Sequence, residues 1–168
     1  FRENILFTHR GMSGPAILQI SNYWEKERSV SVNLSPDVDS AEMFSSNRDS
    51  HKSLVNFLCT IFPNRFAEVF VADNFANKPL DKLTDREVEQ IVFQLQNWRL
   101  KFSETEGYDR AEVTLGGGST DELSSKTFEA KNVAGRHFIG EVVDVTGWLG
   151  VFNFQLAWSS GFAAGNAI

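Results

Sequence analysis

Five glycines, Gly140, Gly147, Gly150, Gly161 and Gly165, punctuate the stretch FIGEVVDVTGWLGVFNFQLAWSSGFAAGNAI, which runs from Phe138 to Ile168. Around them lie aromatic and small apolar residues, two acids (Glu141 and Asp144) and no Lys or Arg. The pattern reads as a short apolar strand, Arg136 to Gly140, that delivers Gly140-Glu141 at its carboxyl end. A loop through Gly147 and Gly150 follows, and a helix opens near Phe152-Asn153. Glycine lets backbone approach a ligand closely. The first turn of a helix carries unpaired N–H groups and a partial positive charge, which suit an anion or an electron-rich ring edge. The same residues also suit a buried helix with a tight leading loop and no ligand, since Ala157, Gly161, Ala164 and Gly165 are small enough for close packing.

His9 is the candidate for acid–base chemistry. It lies in a glycine-rich turn before a helix, and histidine titrates near neutral pH; a histidine that only holds the turn reads equally well. Thr114 and Lys126 are polar residues able to line a cleft, although strand surfaces carry such residues routinely. His51 and His137 have no carboxylate or cysteine at ligand spacing, so no metal site is expected. Cys59 is the single cysteine, set in the apolar run LVNFLCTIF, and reads as a small buried hydrophobe.

The bulk numbers narrow the function classes. With 168 residues, 42% hydrophobic content and a net charge of -6, the chain suits one sizeable core or two small lobes. The acidic balance predicts no nucleic-acid partner, since such proteins normally carry a basic face. A lone thiol fits a reducing, cytoplasmic setting. No run is apolar enough to span a bilayer. The opening at Phe1, without methionine, suggests an excised piece.

The elements that would position these residues come in three blocks. Ile5 to Thr8 reads as a strand. Pro15 opens a helix after Ser13 and Gly14, with Ala16, Ile17, Ile20 and Trp24 near helical spacing. Ser29 to Leu34 alternates as a strand, with Val30, Val32 and Leu34 on one face. From about 35 to 100 the pattern is helical: after SPDVDSAEMFSSNRDS, which offers capping residues and a polar loop, come HKSLVNFLCTIFP closed by Pro63, RFAEVFVADNF, and Leu83 to Trp98. The last has a Thr84/Glu87 capping box and a stripe of Val88, Ile91, Val92 and Leu95. After Leu100, strands are expected in LKFSETEG, RAEVTLGGG, SSKTFEAK and RHFIGEV, and a helix from about Asn153.

Three segments resemble one family. LFTHRGMSGPAILQIS is similar to its T-H-x-G-x-S-G-P segment through Thr8, His9, Gly11, Ser13, Gly14 and Pro15. AEVTLGGGSTDELSSKTFEAK is similar to a second segment through Val113, Thr114, Gly116, Gly117, Thr120, Glu122, Ser125, Lys126, Thr127 and Glu129. The final stretch is similar to the closing segment through Gly140, Glu141, Asp144, Val145, Gly147, Gly150, Asn153, Gln155, Ala157, Ser159, Gly161, Ala164 and Gly165. The chain thus resembles, in its C-terminal portion only, the HI0933-like (BaiN-type) NAD(P)/FAD-dependent oxidoreductases.

The resemblance implies an α+β fold: a strand-rich, barrel-like insert (1–34 and 101–134) with a small helical subdomain (35–100). The last strand, loop and helix (135–168) would complete a Rossmann-like FAD-binding domain. The pyrophosphate-binding half of that domain, with its G-x-G-x-x-G, is missing from this sequence and is the first expected partner. It further implies FAD as cofactor, NAD(P)H as electron donor and a small-molecule substrate, with the chain alone inactive and prone to self-association. Gly140, Glu141, Gly147, Gly150, Val151, Phe152, Asn153 and Phe154 would be the cofactor-binding set, Glu141 accepting from FAD hydroxyls and the N–H groups from Gly150 to Phe154 facing the flavin pyrimidine edge. Two residues depart from the family: Val151 stands where a second glycine is usual, and Gly118 where valine is common. The alternative reading is a non-catalytic interaction module whose glycine-rich tail packs on a partner.

Overall fold

The computed structural model describes residues 1–168. Its strands are β1 (Leu6–Phe7), β2 (Met12–Ser13), β3 (Ser29–Val32) and β4 (Trp98–Lys101). Its helices are α1 (Pro15–Ser21), α2 (Ser40–Ser46), α3 (Leu54–Leu58), α4 (Asn64–Asn74), α5 (Asp85–Gln96) and α6 (Phe152–Gly165). The chain divides into two units: Phe1–Lys26 with Ser103–Ile168, and Glu27–Phe102.

The second unit holds the main core. Phe44, Leu54, Leu58, Phe70, Val71, Leu80, Ile91 and Leu95 are buried there, with Met43, Phe66, Val88 and Trp98 packed around them. Each helix start has a local cause. The Asp39 carboxylate accepts from the N–H groups of Ala41 and Glu42 to start α2, and Ser53 Oγ accepts from Asn56 to start α3. Thr84 and Glu87 form the expected capping box on α5, each side chain bonding the other's backbone N–H. Such caps are worth about 1 kcal/mol each. Proline at 63 stands at the N-cap of α4, where no N–H is required. The antiparallel pair β3–β4 covers one side, in register Ser29↔Lys101, Val30↔Leu100, Ser31↔Arg99 and Val32↔Trp98.

The first unit is built from turns. β1 and β2 pair antiparallel across a tight turn. Gly14, at φ 91°, leads into α1; a Cβ there would lie 2.9 Å from the Leu6 nitrogen. Gly117 similarly passes so close to the backbone of Val142 that a Cβ would lie 2.6 Å from its carbonyl oxygen, and Gly118 donates to that carbonyl at 2.8 Å.

The mixed α+β character holds, but the barrel-like arrangement does not. The two sheets have two strands each and close no barrel. The expected strands at RAEVTLGGG, SSKTFEAK and RHFIGEV reduce to isolated bridges, Gly118↔Val143, Leu123↔Ala130 and Glu129↔His137. Side chains supply the reason. Ser124 Oγ accepts from the N–H groups of Lys126 and Thr127, and the Glu129 carboxylate from that of Gly135. Phe128 at φ 56° and Gly135 at φ 75° turn the chain before a ladder forms. Backbone donors satisfied locally need no neighbouring strand. LKFSETEG contributes only its first residues, to β4, and Gly140–Val142 forms a 3-10 turn.

Candidate functional site

The tail is organised around α6. Its N-cap is Val151 at φ 71°, ψ 7°, and no side chain caps its first turn. The left-handed conformation is one a β-branched residue adopts only under constraint, at a cost on the order of 1–3 kcal/mol. The N–H groups of Phe152, Asn153 and Phe154 have no backbone acceptor, whereas Gln155 donates to the Val151 carbonyl at 3.0 Å.

Asn153 secures the loop ahead of the helix. Its Oδ1 accepts from the Gly147 N–H at 2.7 Å and its Nδ2 donates to the Gly147 carbonyl at 3.2 Å. A Cβ at Gly147 would fall 2.8 Å from Phe152 Cβ. The loop tip is anchored too: Trp148 Nε1 donates to the Tyr23 hydroxyl at 3.2 Å, and Phe1 meets the Trp148 ring edge-on at 5.1 Å. Gly140, at φ 69°, lies over Ala157, and its N–H donates to Ser160 Oγ at 3.0 Å.

The expected cofactor-binding residues therefore fall into two groups. Gly140, Gly147 and Asn153 spend their polar groups on one another or on Ser160. Glu141, Gly150, Val151, Phe152 and Phe154 are exposed, and the first-turn N–H groups lie among them. Trp148, Trp158 and Phe162 add exposed aromatic surface. Sequence reasoning missed the links from Asn153 to Gly147, from Ser160 to Gly140 and from Trp148 to Tyr23. The last spans 125 residues; the other two are shorter, and the Asn-Gly spacing was a readable signal.

His9 is exposed on a turn stitched by Thr8, whose Oγ1 donates to the Gly11 carbonyl and accepts from the N–H groups of Arg10 and Gly11. The contacts of the tail loop run to Phe1 and Tyr23, not to His9. Thr114 and Lys126 are exposed. His137 Nδ1 lies 2.8 Å from the Thr127 carbonyl.

His51 does have a carboxylate neighbour, contrary to its sequence spacing. In the second unit, Asp81 donates its N–H to the Ser50 carbonyl and Leu80 donates to that of Lys52, which brings His51 Nδ1 within 3.1 Å of Asp81 Oδ2. Burial pushes the Asp81 carboxyl up, but the Lys82 and His51 contacts outweigh it and hold it below the usual carboxylate range.

Comparison with known proteins gives this geometry a family. The model described as HI0933-like protein barrel and H2TH domain matches residues 1–113. A protein named ribosomal RNA dihydrouridine synthase from Escherichia coli (strain K12) is 51% identical over 97% of this chain and 42% of its own length. Another of that name from Haemophilus influenzae is 41% identical over 100% of this chain and 43% of its own length. A 3-dehydro-bile acid delta(4,6)-reductase from Clostridium scindens is 31% identical over 95% of this chain and 42% of its own length. The chain thus spans about two-fifths of each relative.

These relatives correct three expectations. A general flavoprotein oxidoreductase drawing on NAD(P)H, and equally a non-catalytic module, give way to relatives named for a specific RNA-modifying enzyme. The small-molecule substrate fits only the more distant relative. The exclusion of nucleic acid is overturned by two relatives named for ribosomal RNA; the inference from charge was unsafe because net charge is a sum over the chain, whereas binding needs only a local basic surface. No helix is long and apolar enough to cross a membrane. With the match covering residues 1–113, the chain belongs to the HI0933-like family.

Proposed function

We propose that the chain is part of an enzyme that reduces uridine in ribosomal RNA to dihydrouridine. One observation carries the reading: identity of 51% and 41%, over nearly all of this chain, to two proteins named for that reaction, against 31% to the bile-acid reductase. The two names share a chemistry. Each describes saturation of a carbon–carbon double bond in conjugation with a carbonyl, so hydride goes to the electrophilic carbon of that bond and a proton to its other carbon. In uracil these are C6 and C5, conjugated to the C4 carbonyl.

The finer reading takes FAD as the redox group, in a Rossmann-like setting completed by the rest of the protein, with a reduced nicotinamide nucleotide as the class of donor that recharges it. The residues present fit the electron-rich edge of its ring: an uncapped first turn at Phe152–Phe154, and a loop kept free of side chains at Gly147 and Gly150. Gly150, Val151, Phe152 and Phe154 would hold that edge, and Glu141 would accept from hydroxyls. When bound and reduced by its donor, FAD would supply the hydride. Asn153, Gly140 and Gly147 keep the loop in shape. The exposed rings of Trp148, Phe152 and Phe154 offer stacking surfaces that shield a flat heterocycle from water. His9 is the candidate source of the proton for C5.

The test is a direct competition in one full-length protein carrying this sequence. With reductant present, ribosomal RNA lacking dihydrouridine should gain it, while a 3-keto-4,6-diene steroid acid should be left largely unreduced. Reduction of the steroid with no change in the RNA would overturn the assignment.

A further inference from the structure

The ribbon β3–β4 carries an arrangement that the tail chemistry does not use. Strand alternation divides its eight residues cleanly. Val30, Val32, Trp98 and Leu100 face inward and are half-buried, while Ser29, Ser31, Arg99 and Lys101 are exposed. The antiparallel register sets Ser29 opposite Lys101 and Ser31 opposite Arg99, so the outward face consists of two cations and two hydroxyls, with neither a carboxylate nor an apolar side chain. Arg99 and Lys101 stand two residues apart on one strand, roughly 6.6 Å along it.

Three other cations of the same unit pair with acids, while Lys52, Arg65 and Arg86 stand apart from this ribbon's strands. Arg48 pairs with Asp85 at 2.7 Å, Lys78 with Glu87 at 2.6 Å and Lys82 with Asp81 at 3.4 Å. No carboxylate holds Arg99 or Lys101. The strand that bears them is fixed from behind, since Trp98 packs against the core and edge-on to Phe66 at 5.7 Å. Two free cations with adjacent hydroxyl donors on a braced backbone form a surface for phosphate oxygens: the cations supply attraction, and the hydroxyls short directional bonds. The absence of apolar side chains disfavours a protein partner, whose contact centre would need them.

We infer that the outward face of β3–β4 docks the phosphate backbone of RNA, with Arg99 and Lys101 as the principal contacts. This rests on the ribosomal RNA reading above and concerns substrate grip, not the reaction itself. It also accounts for an RNA partner in a chain with a net charge of -6: the contact is a small patch from which acids are excluded.

The experiment uses a full-length protein carrying this sequence, with a ribosomal RNA transcript as probe. In R99Q/K101Q the affinity should fall about tenfold at moderate salt. The slope of log affinity against log salt should become shallower by about 1.5, as expected for two lost phosphate contacts. The charge-preserving R99K/K101R should keep the wild-type slope. If the wild type modifies the transcript and R99Q/K101Q binds it with unaltered affinity and slope, the ribbon charges only guard a sheet edge and the inference is overturned. If the wild type neither binds nor modifies the transcript, the ribosomal RNA reading falls first.

Discussion

Ser160 Oγ, fully buried on α6, accepts from the Gly140 N–H at 3.0 Å and donates to the Leu156 carbonyl at 2.6 Å. One hydroxyl therefore ties the 3-10 turn Gly140–Val142, which displays Glu141, to the helix whose first turn lies at the other end of the loop. Gly140 permits the approach, its φ of 69° laying its backbone over Ala157.

Ser160→Ala should remove that tie and leave the Gly140 N–H without its acceptor. Loss of a buried hydrogen bond with one partner stranded costs about 1–3 kcal/mol. Chemical denaturation should show a drop in that range, and Ser160→Thr should restore the bond only if its added methyl is accommodated. A Ser160→Ala protein of unchanged stability would mean that the turn is held by other contacts.

Val151→Gly should relieve the left-handed strain at the start of α6. The relief is offset in part by the greater freedom of glycine in the unfolded chain, so a net gain of about 1 kcal/mol is expected. Val151→Ala, which keeps a Cβ, should gain less. The comparison is read from denaturation midpoints of the three proteins side by side.

Most helices were legible in the sequence because their causes are local, but α2 lies in SPDVDSAEMFSSNRDS, which reads as capping residues and a polar loop. The Thr84/Glu87 capping box and the apolar stripe of α5 lie within one segment, and Pro15 marks the start of α1, whereas Pro63, expected to close the preceding helix, stands at the N-cap of α4 instead. Residues 103–140 misled for the opposite reason. Alternating polar and apolar residues suggest strands, yet Ser124, Thr127 and Glu129 turn their side chains onto nearby backbone. In the tail, the glycine pattern pointed to a close-packed loop, but not to Asn153 as the residue that clamps it. Tyr23 as the anchor of Trp148 lay beyond reach, because nothing local links residues 125 positions apart. The net charge of -6 also conceals local grouping: Arg99 and Lys101 share one outward face with Ser29 and Ser31 only once β3 pairs with β4.

Glu87 should make stability depend on acid. Its hydrogen bond from Lys78, followed by those from Thr84, holds its carboxyl down from 4.5 to about 2. A depressed folded-state value means the stabilisation is fully present above the unfolded value and is lost as pH falls through the folded one. The loss should therefore develop between about pH 5 and pH 2. Glu87→Gln should be less stable at neutral pH and lose less across that window, as measured by denaturation at a series of pH values. Parallel pH profiles for the two proteins would contradict the assignment.

His9→Gln tests the proton donor. The amide keeps polarity and approximate size but cannot supply a proton, so turnover of uridine should fall by roughly a hundredfold or more while RNA affinity stays the same. If the histidine only maintains the Thr8–Gly11 turn, activity and its pH profile should persist.

The most direct test of the account is nucleoside analysis of ribosomal RNA. RNA from cells lacking the full-length protein should be compared with RNA from the same cells expressing it. Dihydrouridine, heavier than uridine by two hydrogens, should appear at a defined ribosomal RNA position only in the second sample. Identical nucleoside profiles in the two samples, with the protein present and folded, would contradict the account.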